Sequence, residues 1–221
     1  MRMRRKKHRE ERMENCSDII IKDILNYKEN LRDIFPNNFP LHMEIGCGKG
    51  GFISTIAELN PEVNYIAFEK NLDVLVLATE KVSEKGLENV RFVPGDAEIL
   101  AQLEEQKSIE RLYINFCDPW HKWGHRKRRL TYKRYLEIYE RIMKDSGEIH
   151  FKTDNAPLFE FSLNSFSDFG MKLKNITLDL HNSKFDGNVM TEYEKLFSEK
   201  GQPIYRCEAI FCSFDDCKSS E

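Results

Sequence analysis

The stretch Leu41-His-Met-Glu-Ile-Gly-Cys-Gly-Lys-Gly-Gly51 decides the fold of this 221-residue chain. A short β-compatible run leads here directly into a glycine-rich turn and then into a helical segment. Glycines in such a turn allow a bound cofactor to approach the backbone closely. Gly46, Gly48 and Gly51 satisfy the GxGxxG spacing. That spacing alone is weak evidence for a dinucleotide-binding fold, because a plain strand-to-helix turn can also produce it.

The regions around this stretch alternate between β-rich runs and helical periodicity. Helical spacing of apolar residues occurs at 71–85 and 131–143. This alternation predicts an α/β, Rossmann-like fold, with a mostly parallel sheet, helices on both faces and ligands at the carboxyl ends of the strands. Two later runs, 171–180 and 203–211, predict an antiparallel hairpin at the sheet edge. The parallel strands are predicted at 41–47, 64–69, 90–96, 111–117 and 147–154.

The chain divides into a short N-terminal region and one large domain. Residues 1–40 are interpreted as a basic arm followed by an amphipathic helix from Ile19 to Ile34, and residues 41–221 as the ligand-binding domain. No apolar run approaches the length of a membrane span, so we expect no membrane association. The six cysteines form no CxxC pair, which is typical of reduced thiols in a cytoplasmic protein.

Carboxylates stand at the ends of the first four predicted strands. They are Glu44, Glu69, Asp96 and Asp118. Glu69 is placed to accept hydrogen bonds from a cofactor ribose, a group that NAD and S-adenosylmethionine share. Any one of these acids could instead be a solvated or helix-capping carboxylate. Four together favour a positively charged sulfonium cofactor, and Pro119 holds Asp118 in an extended conformation at the sheet edge.

The segment that follows Asp118 is strongly basic. Residues 121–134 contain seven Lys or Arg and no acid, although the whole chain has a net charge of -3. Residues 1–12 carry +5, so the rest of the chain is acidic. A solvated surface would explain a charge run, but Trp120 and Trp123 lie near these cations, a combination that favours binding to unpaired bases. A zinc site at Cys117, His121 and His125 is disfavoured because the nearby cations repel a divalent metal.

Eight motifs spread along the chain resemble one known family. The chain is similar to the bacterial tRNA (guanine-N7-)-methyltransferases, class I enzymes that use S-adenosylmethionine, and the likeness covers nearly its whole length. The motifs are Glu44-Ile-Gly-Cys-Gly-Lys-Gly50, Phe68-Glu69, Gly95-Asp-Ala-Glu98, Asp118-Pro-Trp120, Lys127-Arg-Arg129, Phe151-Lys-Thr-Asp-Asn155, Thr191-Glu-Tyr-Glu194 and Pro203-Ile-Tyr-Arg206.

The resemblance implies a function and a set of site residues. It implies methyl transfer from S-adenosylmethionine to N7 of a guanine in the tRNA variable loop, with Asp118 as the catalytic carboxylate. We expect tRNA as partner, no metal, and a monomer or homodimer. The implied cofactor contacts are Glu44, Glu69, Asp96 and Asp118; the implied substrate contacts are Lys122, Asp154, Thr191, Glu192, Tyr193 and Glu194; and the implied RNA contacts are Gly124, His125, Arg126, Lys127, Arg128 and Arg129.

Some of these assignments have structural alternatives. Asp154 could be a loop carboxylate beside a helix that begins near Asn155. Thr191 and Glu194 have the spacing of a helix capping box. Two other functional classes also stay open: an NAD(P)-dependent Rossmann oxidoreductase, which needs no basic loop, and a non-catalytic RNA-binding protein, which does not explain the four acids.

Overall fold

The computed structural model describes residues 7–212, which form two compact units. One unit extends to Leu103 and includes Val189–Glu192, and the other comprises Glu104–Asn188 and residues 193–212. The α-helices are α1 (Arg9–Glu14), α2 (Gly51–Leu59), α3 (Leu72–Glu84), α4 (Lys133–Ile142), α5 (Ala156–Asp168) and α6 (Glu192–Ser198). The strands are β1 (Leu41–Ile45), β2 (Asn64–Glu69), β3 (Val90–Pro94), β4 (Ile109–Asn115), β5 (Met143–Thr153), β6 (Lys172–Thr177) and β7 (Tyr205–Ile210).

The first unit contains three parallel strands in the order β3-β2-β1. All five residues of β1 are buried, as is usual for parallel strands covered on both faces. The register pairs Glu44 with Ala67 and Glu69 with Pro94. Glu69 therefore lies at the carboxyl end of β2, beside the end of β3, as the sequence predicts.

The second unit contains four strands in the order β4-β5-β7-β6. Strands β4 and β5 are parallel, whereas β7 is antiparallel to both β5 and β6. The predicted antiparallel edge is thereby confirmed. One face of β5 is covered by α5, where the Phe151 ring packs against Phe159 and Phe166, each with a centroid distance of 6.2 Å.

The predicted amphipathic helix over Ile19–Ile34 is wrong. This region forms three short 3₁₀ helices instead, at Ser17–Ile19, Ile24–Tyr27 and Leu31–Ile34. Extended residues separate them, because the Ile21 N–H donates to the carbonyl of Phe92 on β3, and β-branched isoleucines favour this extended pairing. Asp23 and Asn30 then cap the next two turns with their side chains. The apolar residues of the region still reach the core, since Ile19, Ile24 and Leu31 are buried.

Part of the N-terminal arm is bound to α3 by ion pairs. Arg12 donates through Nε and Nη2 to the two carboxylate oxygens of Glu80, both at 2.6 Å. Arg9 lies 3.4 Å from Asp73. These two cations of the predicted basic arm are therefore neutralised by α3, whereas residues 1–6, which carry four others, lie outside the described residues.

Two structural features bear on membranes and metals. Within residues 7–212, none of the helices combines the length and the apolar character needed to cross a bilayer. The same part of the chain shows no group of three or more His, Cys, Asp or Glu side chains that could hold a metal ion.

Candidate active site and nucleic-acid interface

The glycine-rich turn after β1 is built from left-handed backbone. Gly46, Gly48 and Gly50 have φ values of +81°, +58° and +76°, a region that residues with a Cβ rarely adopt. At Gly50 a Cβ would also lie 2.8 Å from Ala78 on α3. The turn is fastened to β2 by the Gly46 and Cys47 N–H groups, which both donate to the Phe68 carbonyl. Glycine is therefore favoured at all three positions by the backbone conformation, and at Gly50 also by the close approach of α3.

Glu69 is held at the mouth of this turn by both of its carboxylate oxygens. Oε2 accepts from the Gly48 N–H at 3.1 Å, and Oε1 accepts from the Asn71 N–H at 2.8 Å. Each carboxylate oxygen has a second lone pair, so a fixed carboxylate of this kind can still accept from a diol. The predicted position of Glu69 is confirmed, and its geometry suits ribose hydroxyls.

The turn carries a negative electrostatic potential. Glu44 is buried within β1, with 1% of its surface exposed. Burial raises the pKa of the Cys47 thiol well above its ordinary value, and the Glu44 and Glu69 carboxylates raise it further. Burial by itself disfavours charge of either sign, but the Glu44 and Glu69 carboxylates add negative charge beside the turn. A cationic ligand fits this site.

Asp96 and Glu192 are also in the first unit, but they have structural partners of their own. Asp96 is exposed and caps the 3₁₀ helix Ala97–Gln102, where its Oδ1 accepts from the Glu98 N–H at 3.1 Å. Glu192 forms an ion pair with Lys81 of α3. A Cβ on Gly51 would lie 2.7 Å from the Glu192 side chain, so the start of α6 rests on the start of α2. Thus Glu192, which the resemblance assigns to the substrate, packs beside the glycine-rich turn.

Asp118, in the second unit, lies in a strained turn after β4. The residues two positions before and two positions after it, Phe116 and Trp120, have φ values of 53° and 46°. Left-handed backbone costs a residue with a side chain roughly 1–2 kcal/mol. Asp118 itself is exposed. Burial of the Cys117 thiol, together with the Asp118 charge, raises the pKa of Cys117 to about 12. Strain of this kind concentrates at functional sites, so the turn is a candidate for the reacting centre.

The predicted RNA-contacting segment divides into two parts. Most of the 3₁₀ helix Trp123–Arg128 is exposed, including Lys127 and Arg128. Trp123 is 78% exposed, and the Arg126 guanidinium stacks over its ring at 4.1 Å. Arg129 instead turns inward, where its Nε donates to the Pro119 carbonyl at 2.9 Å.

Asp154 and Tyr193, two predicted substrate residues of the second unit, contact each other. Tyr193 is 43% exposed; its ring packs against Phe116 at 5.0 Å, and its hydroxyl donates to Asp154 at 3.4 Å. Partial burial and the Asp154 charge raise the pKa of Tyr193. Asn155 caps α5 as expected, since its side chain accepts from the Leu158 N–H. Asp154 is therefore placed beside the Asp118 turn through Tyr193 and Phe116.

Glu194 is not exposed to a ligand, because it is fully buried in an ion pair with Lys152 at 2.7 Å. Asn188 joins both partners: its amide donates to Glu194 at 2.7 Å, and its carbonyl oxygen accepts from Lys152 at 3.1 Å. His181 lies 3.3 Å from the same carboxylate. The sequence predicted no role for Lys152. A lysine in a buried strand, between Phe151 and Thr153, nevertheless indicates a buried partner for its charge.

The chain is similar to several known proteins over most of its length. A family model described as "Putative methyltransferase" matches residues 38–207. The tRNA (guanine-N(7)-)-methyltransferase of Streptococcus uberis is 52% identical over 211 residues, which are 96% of this chain and 100% of that protein. The protein of the same name from Bacillus velezensis is 50% identical over 94% of this chain and 96% of its own length.

The fold is also found among solved structures. The structure of an antibiotic-related methyltransferase matches with a TM-score of 0.59 at 19% identity, covering 84% of this chain and 94% of that chain. At this identity the likeness concerns the fold alone. It confirms the Rossmann-like class I methyltransferase fold with an antiparallel edge.

Proposed function

The chain belongs to the bacterial tRNA (guanine-N(7)-)-methyltransferase family and is an enzyme that methylates N7 of guanine in tRNA; we propose S-adenosylmethionine as its methyl donor and Asp118 as its catalytic carboxylate. Membership of this family favours the methyltransferase function over the two alternatives, an NAD(P)-dependent oxidoreductase and a non-catalytic RNA-binding protein. We further propose that the target guanine lies in the variable loop and that the enzyme acts in the cytoplasm, as a monomer or homodimer without a metal.

The first unit has the residues to hold the methyl donor. When bound, S-adenosylmethionine supplies an electrophilic methyl group on a positively charged sulfur. Glu69, fixed by two backbone N–H groups, would accept from the ribose hydroxyls of this cofactor. Glu44 would supply negative charge near the positively charged sulfur, and Asp96 would accept from the adenine amino group. The left-handed glycines at 46, 48 and 50 allow the ligand to lie against the backbone.

The reaction does not require a strong base. Guanine N7 has a lone pair that is available at neutral pH, so the enzyme must align N7 with the methyl group and stabilise the purine cation that forms. The exposed Asp118 carboxylate is suited to that stabilisation, through its charge or through a hydrogen bond from the guanine edge. The single observation that carries this assignment is the strained turn that presents Asp118 directly before the basic segment.

The second unit has the residues to hold tRNA. Lys122, Lys127 and Arg128 are exposed cations that can neutralise phosphates. Trp123, backed by Arg126, is an exposed aromatic platform for an unpaired base. Asp154 and Tyr193 are assigned to the guanine itself, whereas Glu194 acts on it indirectly, since its carboxylate is occupied by Lys152.

A labelling experiment tests the proposal. Purified enzyme is incubated with methyl-labelled S-adenosylmethionine and an unmodified tRNA transcript, and the RNA is then cleaved with borohydride and aniline at N7-methylguanine. We expect label in the RNA and a single cleavage within the variable loop. A transcript with 7-deazaguanine, which has no N7, is the matched control and should accept no label. Label at another atom, or none with the normal transcript, refutes the proposal.

A further inference from the structure

We propose that Arg129 is a positioning residue that holds the turn carrying Asp118, instead of contacting tRNA phosphates. This inference rests on the proposed role of Asp118. The Arg129 Nε–H donates to the Pro119 carbonyl at 2.9 Å, and its Nη2 donates to the Trp120 carbonyl at 3.4 Å. These are the carbonyls of the two residues directly after Asp118. One side chain therefore fixes the backbone on which the catalytic carboxylate stands.

The turn needs such support because its backbone is strained on both sides of Asp118. Phe116 and Trp120 are both left-handed, and residues with side chains adopt this conformation only where the surroundings enforce it. On the strand side, the Phe116 N–H is fixed by the Lys152 carbonyl of β5 at 2.9 Å. On the other side, Arg129 provides the corresponding anchor at Trp120.

An arginine is suited to this task for geometric reasons. Its guanidinium is planar and presents several N–H groups in a fixed fork, so it can bind two carbonyls at once, whereas a lysine ammonium is a single point charge. The fork is itself held in place, since the Arg129 guanidinium lies over the Phe161 ring of α5 at 4.4 Å. Partial burial lowers the pKa of Arg129. Lys127 and Arg128, in contrast, are exposed, as phosphate contacts should be.

The test compares two variants within the same segment. Arg129→Lys keeps the charge and removes the fork, while Lys127→Gln removes an exposed charge and leaves the turn intact. For Arg129→Lys we expect kcat at saturating tRNA to fall about ten- to a hundredfold, with the tRNA Kd and its salt dependence within twofold of the unaltered enzyme. For Lys127→Gln we expect weaker tRNA binding and a salt slope reduced by about one phosphate contact.

A double variant tests whether Arg129 acts through Asp118. If it does, Arg129→Lys combined with Asp118→Asn should be no slower than Asp118→Asn alone, because the positioned group is already disabled. If the double variant instead loses kcat by the product of the two single-variant factors, the two residues act independently, and the proposal is overturned. Phe161→Leu, which removes the ring beneath the guanidinium, should lower kcat in the same direction but less, and it provides a second test if Arg129→Lys folds poorly.

A readout without catalysis separates this inference from the proposed function. The chain has two tryptophans, so in a Trp123→Phe background the tryptophan fluorescence, excited selectively over that of the tyrosines, comes from Trp120 alone. There, Arg129→Lys should increase quenching of Trp120 by acrylamide, and Lys127→Gln should leave it unchanged. If the unaltered enzyme methylates no guanine N7, the proposed function fails, and the quenching still decides whether Arg129 holds the turn. Unchanged quenching, or a tRNA Kd and salt slope that shift as in Lys127→Gln, overturns the positioning role.

Discussion

Removing the negative charge from Glu194 should destabilise the second unit severely. Glu194 has no exposed side-chain surface, and its partner Lys152 has 6% exposed. In Glu194→Gln the lysine ammonium would keep its burial but lose its counter-charge at 2.7 Å. Removing one partner of a buried ion pair typically costs about 3–5 kcal/mol, because the remaining charge is left without solvation.

The expected magnitude is large enough for ordinary unfolding measurements. For a chain of this size, each kcal/mol corresponds to about 2–4 °C, so Tm should fall by roughly 6–20 °C. Thermal melting followed by circular dichroism, together with urea unfolding, measures this change. The matched control is Glu137→Gln, which breaks the exposed Lys133–Glu137 pair, with side chains 73% and 57% exposed. Exposed pairs contribute little, so this variant should melt close to the unaltered protein.

A second substitution distinguishes a missing counter-charge from a packing defect. Replacing both partners, as in Lys152→Met with Glu194→Gln, removes the stranded charge, so the double variant should be more stable than Glu194→Gln alone. The Asn188 amide, which bonds both partners, should limit but not prevent this recovery. The reasoning is refuted if Glu194→Gln unfolds within about 1 kcal/mol of the unaltered protein, or if the double variant is less stable than either single one.

Three further predictions concern chemistry, RNA and pH. Asp118→Asn should lower kcat about a hundredfold or more without preventing tRNA binding, as measured by single-turnover methylation. Trp123→Ala should weaken tRNA binding roughly 5- to 150-fold with an unchanged salt slope, and Trp123→Phe should retain most of the affinity in filter binding. Hydrogen bonding from His150, with the Arg111 charge, lowers the pKa of Glu148 to about 2 from its ordinary 4.5. Glu148 therefore stabilises the fold above about pH 4.5, and this contribution is lost as pH falls towards 2. Between pH 4.5 and 2 the urea unfolding midpoint of Glu148→Gln should therefore depend less on pH than that of the unaltered protein. The same pH dependence in both proteins would contradict this prediction.

Local sequence was sufficient to predict much of the fold. Every predicted strand is present to within a few residues, because alternating apolar runs and helical periodicity report which faces are buried. Glu69 and the glycine-rich turn were predicted together because their spacing follows from one βαβ unit. The exception was the region 19–34, where apolar spacing suggested a helix. There the pairing of Ile21 with Phe92 and the caps at Asp23 and Asn30 favoured short turns.

The partners of individual side chains required the tertiary structure. The sequence by itself determined the α/β class, the acids at the strand ends and the basic segment after Asp118, since each depends on neighbours along the chain. Only the folded chain decided that Glu194 pairs with Lys152, 42 residues away, and that Arg129 turns inward to the Pro119 and Trp120 carbonyls while Lys127 stays exposed. Burial sets these roles, because a charge removed from water must find a partner, and that partner depends on how distant segments pack.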